Sequence, residues 1–272
     1  LAKKSEIRYS ESLVPRQAQD LAMRKESRKS RPQKAPDLET IARRAMREKG
    51  LMTDFPAAAR QQAERCRDLG AEPDPSGRLA DLRGLPWTSI DNDDSLDLDQ
   101  LEVVFPEGNA YRLLVAVADV DVYVAANSAI DEAARVNTTS VYTGVKNFPM
   151  LPERLSIDLT SLLAGKSRRA MVVEMRIAAD GQITRKRIFP ALVQNKAKLC
   201  YDAVAAWLEG KARAPEPLAK DAELRRQVEI QDRLARILRR VRMAAGALEF
   251  ATLETRVEMA DNGRVRRIVS RR

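Results

Sequence analysis

Apolar residues recur along this chain at two different periods, and the change from one to the other divides it. Between residues 37 and 68 the period is helical. Asp37 is placed to cap a helix over 38–49, with Leu38, Ile41, Ala42 and Ala45 on one face and Gly50 ending it. A second helix is expected over 56–68, followed by the turn-rich Pro73-Asp74-Pro75-Ser76-Gly77. From Leu85 onwards strand-like runs take over. Leu101–Phe105 and Arg112–Val120 read as strands joined by the turn residues Pro106-Glu107-Gly108-Asn109. Met171–Ile177 with Ile183–Phe189, and Thr255–Met259 with Arg264–Val269, read as hairpins around Ala179–Gln182 and Asp261–Gly263. Helices are expected over roughly 129–135 and 201–208, and a long one from Asp221 to about Ala244. That last helix spaces Leu224, Val228, Leu234, Leu238 and Val241 along one face. Hairpins with interspersed helices define an α+β class rather than alternating β-α units, and no internal repeat is visible.

Residues 1–36 have no comparable core pattern. They are polar and basic, with Arg24-Lys25-Glu26-Ser27-Arg28-Lys29-Ser30-Arg31 lacking any apolar period, and read as a helix near 16–26 followed by a mobile linker to Pro36. The start, Leu1-Ala2-Lys3-Lys4, has neither a methionine nor a signal-peptide core, so the chain is expected to be an excised piece of a longer product.

Composition narrows the chemistry. The chain has 272 residues, 44% hydrophobic and 32% charged, which suits a soluble globular protein with a sizeable core, and no apolar run approaches the roughly 20 residues of a membrane span. It contains no histidine, which excludes Ser-His-Asp and Cys-His hydrolysis and histidine-ligated zinc. Cys66 and Cys200 are far apart and form no Cys-x-x-Cys pair, a usage that fits a reducing cytoplasm. Catalysis, if present, falls to carboxylates and a hard metal ion. The formal charge of +9 is uneven: residues 1–50 carry a net +7, residues 236–272 a net +6, and the stretch between them −4. Basic ends around an acidic middle suit a polyanion held near a metal-charged site, although ordinary solvated faces and a basic tail account for the ends equally well.

The acidic middle peaks in Ser89-Ile90-Asp91-Asn92-Asp93-Asp94-Ser95-Leu96-Asp97-Leu98-Asp99-Gln100. Five carboxylates in nine residues repel one another, and a divalent cation with a taste for hard oxygen relieves that repulsion. Carboxylates two apart on an extended strand share a face, so Asp97 and Asp99 can converge on one ion. Two other readings compete. A calcium loop would take ligands from Asp91, Asp93, Ser95, Asp99 and Glu102, but its sixth position, where glycine makes the turn, is Leu96, and the flanks are not helical. A merely solvated acidic loop is the second.

The order of motifs here resembles the ribonuclease II/R family, the RNB domain. Ile90-Asp91, five residues, then Asp97-Leu98-Asp99-Gln100 is similar to the family's acidic signature, with Ser89 for threonine and Gln100 for the last aspartate. Val115-Ala116-Val117-Ala118-Asp119-Val120, Thr139-Ser140-Val141-Tyr142, Pro149–Ser156, Lys196–Tyr201 and Gly246–Phe250 follow in the family's order. The resemblance spans about 79–272 and makes that region the N-terminal part of an RNB catalytic domain, with residues 37–78 a helical lead-in. It implies an RNB-type mixed or antiparallel sheet with flanking helices, preceded by the helical basic N-terminal segment.

The same resemblance implies a function: magnesium-assisted, processive 3′-to-5′ hydrolysis of single-stranded RNA to nucleoside 5′-monophosphates, with manganese as a possible substitute. Asp91 and Gln100 would bind the metal, Asp97 would support it, and Asp99 would be essential for hydrolysis. Tyr142, Tyr201 and Phe250 match aromatics that contact RNA, the bland reading of each being a core aromatic. No membrane and no protein partner is implied. Gln100, a neutral amide in a charged position, leaves open a catalytically silent RNA-binding protein of the same fold; Asp93 or Asp94 could compensate for it. The family's RNA-contacting glutamate helix and its Ser-Pro-Ile-Arg-Arg arginine lie beyond Arg272, so residues 1–272 alone are expected to bind RNA weakly and hydrolyse it poorly.

Overall fold

A computed structural model describes residues 37–70, 77–248, 254–260 and 265–271. The expected helix near 16–26, the linker to Pro36, residues 73–76, Phe250 and the turn at Asp261–Gly263 lie outside the described residues.

Two helices lead in. Helix α1 (Leu38–Glu48) ends at Gly50, whose φ of +75° lets Leu51 N–H reach back to Met46 O at 2.9 Å. The expected apolar face is not the buried one: Met46 is 4% exposed, whereas Ile41 is 39% exposed. Helix α2 (Ala57–Arg65) is shorter than expected, because Cys66 is already extended. The chain straightens there so that Asp68 can meet Arg168, and so that Gly70 can pass the Ser167 carbonyl. A Cβ on Gly70 would sit 1.9 Å from that oxygen, so only glycine fits.

A seven-stranded sheet follows, assembled from β1 (Ala80–Asp81), β2 (Thr88–Asp91), β3 (Gln100–Glu107), β4 (Ala110–Ala118), β7 (Ser167–Ala178), β8 (Ile183–Gln194) and β9 (Ala197–Cys200). Its order is β1-β8-β7-β4-β3-β2-β9. The central pairs are antiparallel, from Gln100↔Val117 to Glu107↔Ala110 and from Ala118↔Ala170 to Ala110↔Ala178. The two outer pairs, β1 with β8 and β2 with β9, are parallel, so the sheet is mixed. Strand β4 stops at Ala118 instead of running to Val120, because Val120 O already accepts from Tyr123 N–H in a turn.

Period-two alternation gives the sheet two faces. Leu101, Val103, Leu114, Ala116, Ala170, Val172, Ala191 and Val193 pack with Trp87, Leu98 and Leu162 into the main core. On the other face Val104 and Ile177 meet Ile230 and Leu234 of the long helix α6 (Ala222–Ala244). Asp221 caps that helix, accepting from Glu223 N–H at 2.8 Å and Leu224 N–H at 3.1 Å. Val241, expected on its buried face, is 38% exposed, yet it still meets the β7–β8 turn: a Cβ on Gly181 would fall 2.6 Å from its Cγ2.

Helix α3 (Ala129–Asn137) packs with α2 and the π-helical turn Arg154–Leu159 around Ile130, Leu155 and Leu159. Between these lies a two-residue ladder of β5 (Val141–Tyr142) with β6 (Asn147–Phe148). Helices α4 (Tyr201–Leu208) and α5 (Glu216–Lys220) follow β9, and β10 (Glu254–Met259) pairs antiparallel with β11 (Val265–Arg271). The fold is α+β, as the sequence pattern indicated, and helices flank a mixed sheet, as the family resemblance implied.

Candidate active site

The parallel pairing of β2 with β9 decides where the acids stand. Both strands end at the same edge, with Asp91 opposite Cys200 and Tyr201 next in chain. Strand β3 begins there with Gln100, and β4 finishes there beside it, Gln100 facing Val117. One end of the sheet therefore gathers Asp91, Asp97, Asp99, Gln100, Asp119 and Tyr201 on four neighbouring strands and the loops that leave them.

The aspartate loop is fastened by its backbone. Leu98 is 2% exposed and plugs the main core, which turns its neighbours Asp97 and Asp99 away from it. Leu98 N–H donates to Ser161 Oγ at 3.0 Å, that hydroxyl donates to Leu96 O at 2.6 Å, and Leu162 N–H donates to Leu98 O at 2.7 Å. Ala118 N–H donates to Asp99 O at 2.9 Å. Behind the loop, Asn195 Nδ2 ties Ser89 Oγ at 3.0 Å to Leu162 O at 2.9 Å. The calcium-loop alternative fails on this geometry. The segment is entered from β2 and left into β3, where that motif needs helices, and the Asp93 and Ser95 carbonyls accept from Lys198 Nζ.

The electrostatics are those of crowded carboxylates. Partial burial, then the charges of Asp91 and Asp97, hold the Asp99 carboxyl above the usual carboxylate range. Burial followed by the charge of Asp99 pushes Glu102, on β3, up to about 7. Burial, then a hydrogen bond that protonated Asp119 donates to Asp121, likewise raise Asp119, which is 6% exposed at the end of β4. Among the described residues, no three Asp, Glu or Cys side chains are already placed to hold a metal ion together. The donor set is nevertheless the right one for magnesium or manganese: hard, anionic oxygens that raise one another's proton affinity and that a cation relieves.

Two of the three candidate RNA-contacting aromatics, Tyr142 and Tyr201, stand at this end as well. Tyr142 lies in the β5–β6 ladder, anchored by buried Phe148, and is 62% exposed. Its hydroxyl donates to Asp97 Oδ2, and burial and that bond push its pKa up to about 12. Tyr201 opens α4 at 51% exposure, and its hydroxyl is raised by burial and then by the charges of Asp91, Glu102 and Asp99. An exposed ring is not a core aromatic, so packing does not account for either. Sequence reasoning assigned no role to Asp119, Ser161, Asn195 or Lys198, and saw Glu102 only as a calcium-loop position. Asp119 and Lys198 lay inside motifs that follow the family's order, Asp119 also as an acid closing an apolar strand; Ser161 and Asn195 had no signal before the strands were paired.

A mixed sheet with acids gathered at one end and two exposed tyrosines beside them defines an α+β fold with a carboxylate-rich candidate site. The chain belongs to the RNB domain family, whose model matches residues 79–272. It is 35% identical over 225 residues to ribonuclease R of Vibrio parahaemolyticus, covering 82% of this chain and 26% of that protein. To ribonuclease R of Thermotoga maritima it is 37% identical over 195 residues, covering 71% and 27%. The solved structure of Mycoplasma genitalium RNase R in complex with ribose-methylated single-stranded RNA matches with a TM-score of 0.76 and 26% identity. That match covers 86% of this chain and 36% of that one. The chain thus spans about a quarter of the length of the curated relatives it matches.

Proposed function

We propose that the protein is a 3′-to-5′ exoribonuclease that hydrolyses single-stranded RNA to nucleoside 5′-monophosphates with magnesium, or manganese in its place. The observation that carries this reading is the gathering of Asp91, Asp97 and Asp99 at one sheet end, with the Asp99 carboxyl held up by burial and then by the other two charges. Family membership supports the reaction class, and the relative solved with single-stranded RNA supports the substrate. In this reading residues 79–272 form part of the catalytic domain and 37–78 lead into it.

Asp91, Asp97 and Asp99 would hold the cation, and the Gln100 amide would add a neutral oxygen beside them. A divalent ion held there would polarise the scissile phosphate and acidify the attacking water. In hydrolysis the water oxygen bonds to phosphorus, its proton is released and the 3′-oxygen of the preceding nucleotide leaves, with Asp99 the carboxylate that the family resemblance makes essential. Tyr142 and Tyr201 stack on bases or sugar, contacts worth about 1–3 kcal/mol per base and tolerant of sequence. Phe250 joins them on the family resemblance alone. The two free cysteines, Cys66 and Cys200, suit a cytoplasmic setting, and among the described residues no helix is long and apolar enough to cross a membrane.

Gln100 favours a second reading, a catalytically silent RNA-binding protein. Labelled single-stranded RNA separates the two. The natural full-length protein should release 5′-monophosphates only with magnesium or manganese, and Asp99→Asn should abolish release while RNA binding persists. Cleavage undiminished in Asp99→Asn, or in excess chelator, would falsify the metal assignment; binding without cleavage in the wild type selects the second reading.

A further inference from the structure

The loop between Asp91 and Asp97 must hold two of the proposed metal ligands in place while it carries Asp93 and Asp94 as well, four like charges in seven residues. Within the loop Ser95 N–H donates to Asn92 O at 3.2 Å, and near its end Ser161 Oγ holds Leu96 O at 2.6 Å. Lys198 comes from outside the loop. It lies on β9 opposite Ser89, between buried Ala197 and Leu199, so its side chain leaves the core and rises on the opposite face, half-buried. Its Nζ donates to Asp93 O at 2.6 Å and to Ser95 O at 2.7 Å. Charge-assisted bonds of that length are the strong kind.

We infer that Lys198 is a positioning residue for the divalent-metal ligands, fixing Asp91 and Asp97 through the backbone that joins them. The inference rests on the exoribonuclease reading for the identity of the metal site. The chemistry of the contact favours this role over a direct one. An ammonium has three donors, and two are spent on carbonyls, whereas a lysine kept for phosphate would present its donors to solvent. Because it grips carbonyls rather than carboxylates, it restrains the loop and takes up none of the anionic oxygens that a cation needs. Its strand also ends in Cys200, the register partner of Asp91, and leads into Tyr201, so the same strand sets both ligand and aromatic.

Manganese binding to the full-length protein, followed by electron paramagnetic resonance, tests this together with amide hydrogen exchange of residues 93–97 in metal-free protein. Lys198→Met should weaken manganese binding on the order of tenfold, the usual effect of removing a group that orients metal ligands. It should also speed exchange at 93–97 and leave KM for RNA unchanged. Lys198→Arg, which keeps charged donors, should recover part of the affinity. Lys198→Gln gives the same comparison as methionine if the methionine variant does not fold. Tighter manganese binding in Lys198→Met would show that the ammonium acts only as an opposing charge, and so overturn the inference. A raised KM with unchanged manganese affinity would overturn it in favour of a phosphate contact, and no change at all would leave a surface lysine. A wild type that neither binds manganese nor cleaves RNA overturns the functional reading and with it the metal role. In that case the exchange rates still report whether Lys198 fastens the loop.

Discussion

Tyr142 carries two chemistries on one side chain. Its ring is exposed for stacking, while its hydroxyl donates to Asp97, so an alanine there removes a contact to a proposed metal ligand along with the proposed base clamp. The sequence alone suggested only the clamp. Splitting the side chain separates the two: Tyr142→Phe should keep the RNA end-product length and raise the magnesium concentration needed for half-maximal rate several-fold. Tyr142→Ala should do both, leaving longer undegraded ends as well. Gel-resolved products across a magnesium titration decide it. Equal behaviour of the two variants would mean that the hydroxyl does nothing for Asp97, and an unchanged product ladder in both would mean that the ring does not stack on RNA.

Between elements, the long helix shows how a polar residue can sit on a buried face for a reason. Strand β2 is in register with β3 at Thr88↔Glu102, short of Val104. Beyond that point α6 takes over as neighbour: Gln227, 6% exposed, accepts from Val104 N–H at 2.9 Å. One turn on, Gln231 Nε2 donates to Glu102 O at 3.2 Å and Thr88 Oγ1 at 3.3 Å. Leu224, Val228, Leu234 and Leu238 were readable as a face from their spacing, but Gln227 within that face was not, because glutamine ordinarily marks solvent. Gln227→Leu should cost about 1–3 kcal/mol in urea unfolding, since the Val104 N–H is left buried without an acceptor. Gln231→Leu, with longer bonds in a half-buried place, should cost less. Equal costs would show that the Val104 bond contributes no more than the surrounding contacts. The elements that escaped sequence reading are short: β1, β2, β5, β6 and β9 have two to four residues each, too few for a period to register.

Across the whole molecule, crowding acids at one end of a sheet couples stability to pH. Glu102 has its carboxyl at about 7 against an ordinary 4.5, from burial first and Asp99 second. The folded state therefore holds the proton more tightly than the unfolded one. The stability this contributes is complete below pH 4.5 and is lost as pH rises through about 7. Glu102→Gln should flatten the fall in unfolding free energy between pH 5 and 8 by on the order of 2 kcal/mol, measured without divalent ions. The part of the slope that remains belongs to Asp99 and Asp119, raised in the same direction. A slope identical to the wild type would show that Glu102 is ionised in the folded protein at neutral pH.

By itself the sequence determined the α+β class, the central hairpins, the long helix and the acidic segment with its family resemblance, because each rests on local periodicity or on an ordered string of residues. It could not determine that Met46 rather than Ile41 faces the core, that Cys66 breaks α2, or that Val241 is partly exposed; each depends on what packs opposite. Nor could it bring Lys198 and Ser161 to the aspartate loop, or the Tyr142 hydroxyl to Asp97, across 45 to 105 residues of chain. Those contacts exist only once β2 and β9 lie parallel and β3 and β4 antiparallel. Strand register is a property of the assembled sheet, and a long-range neighbour leaves no period in the chain that carries it.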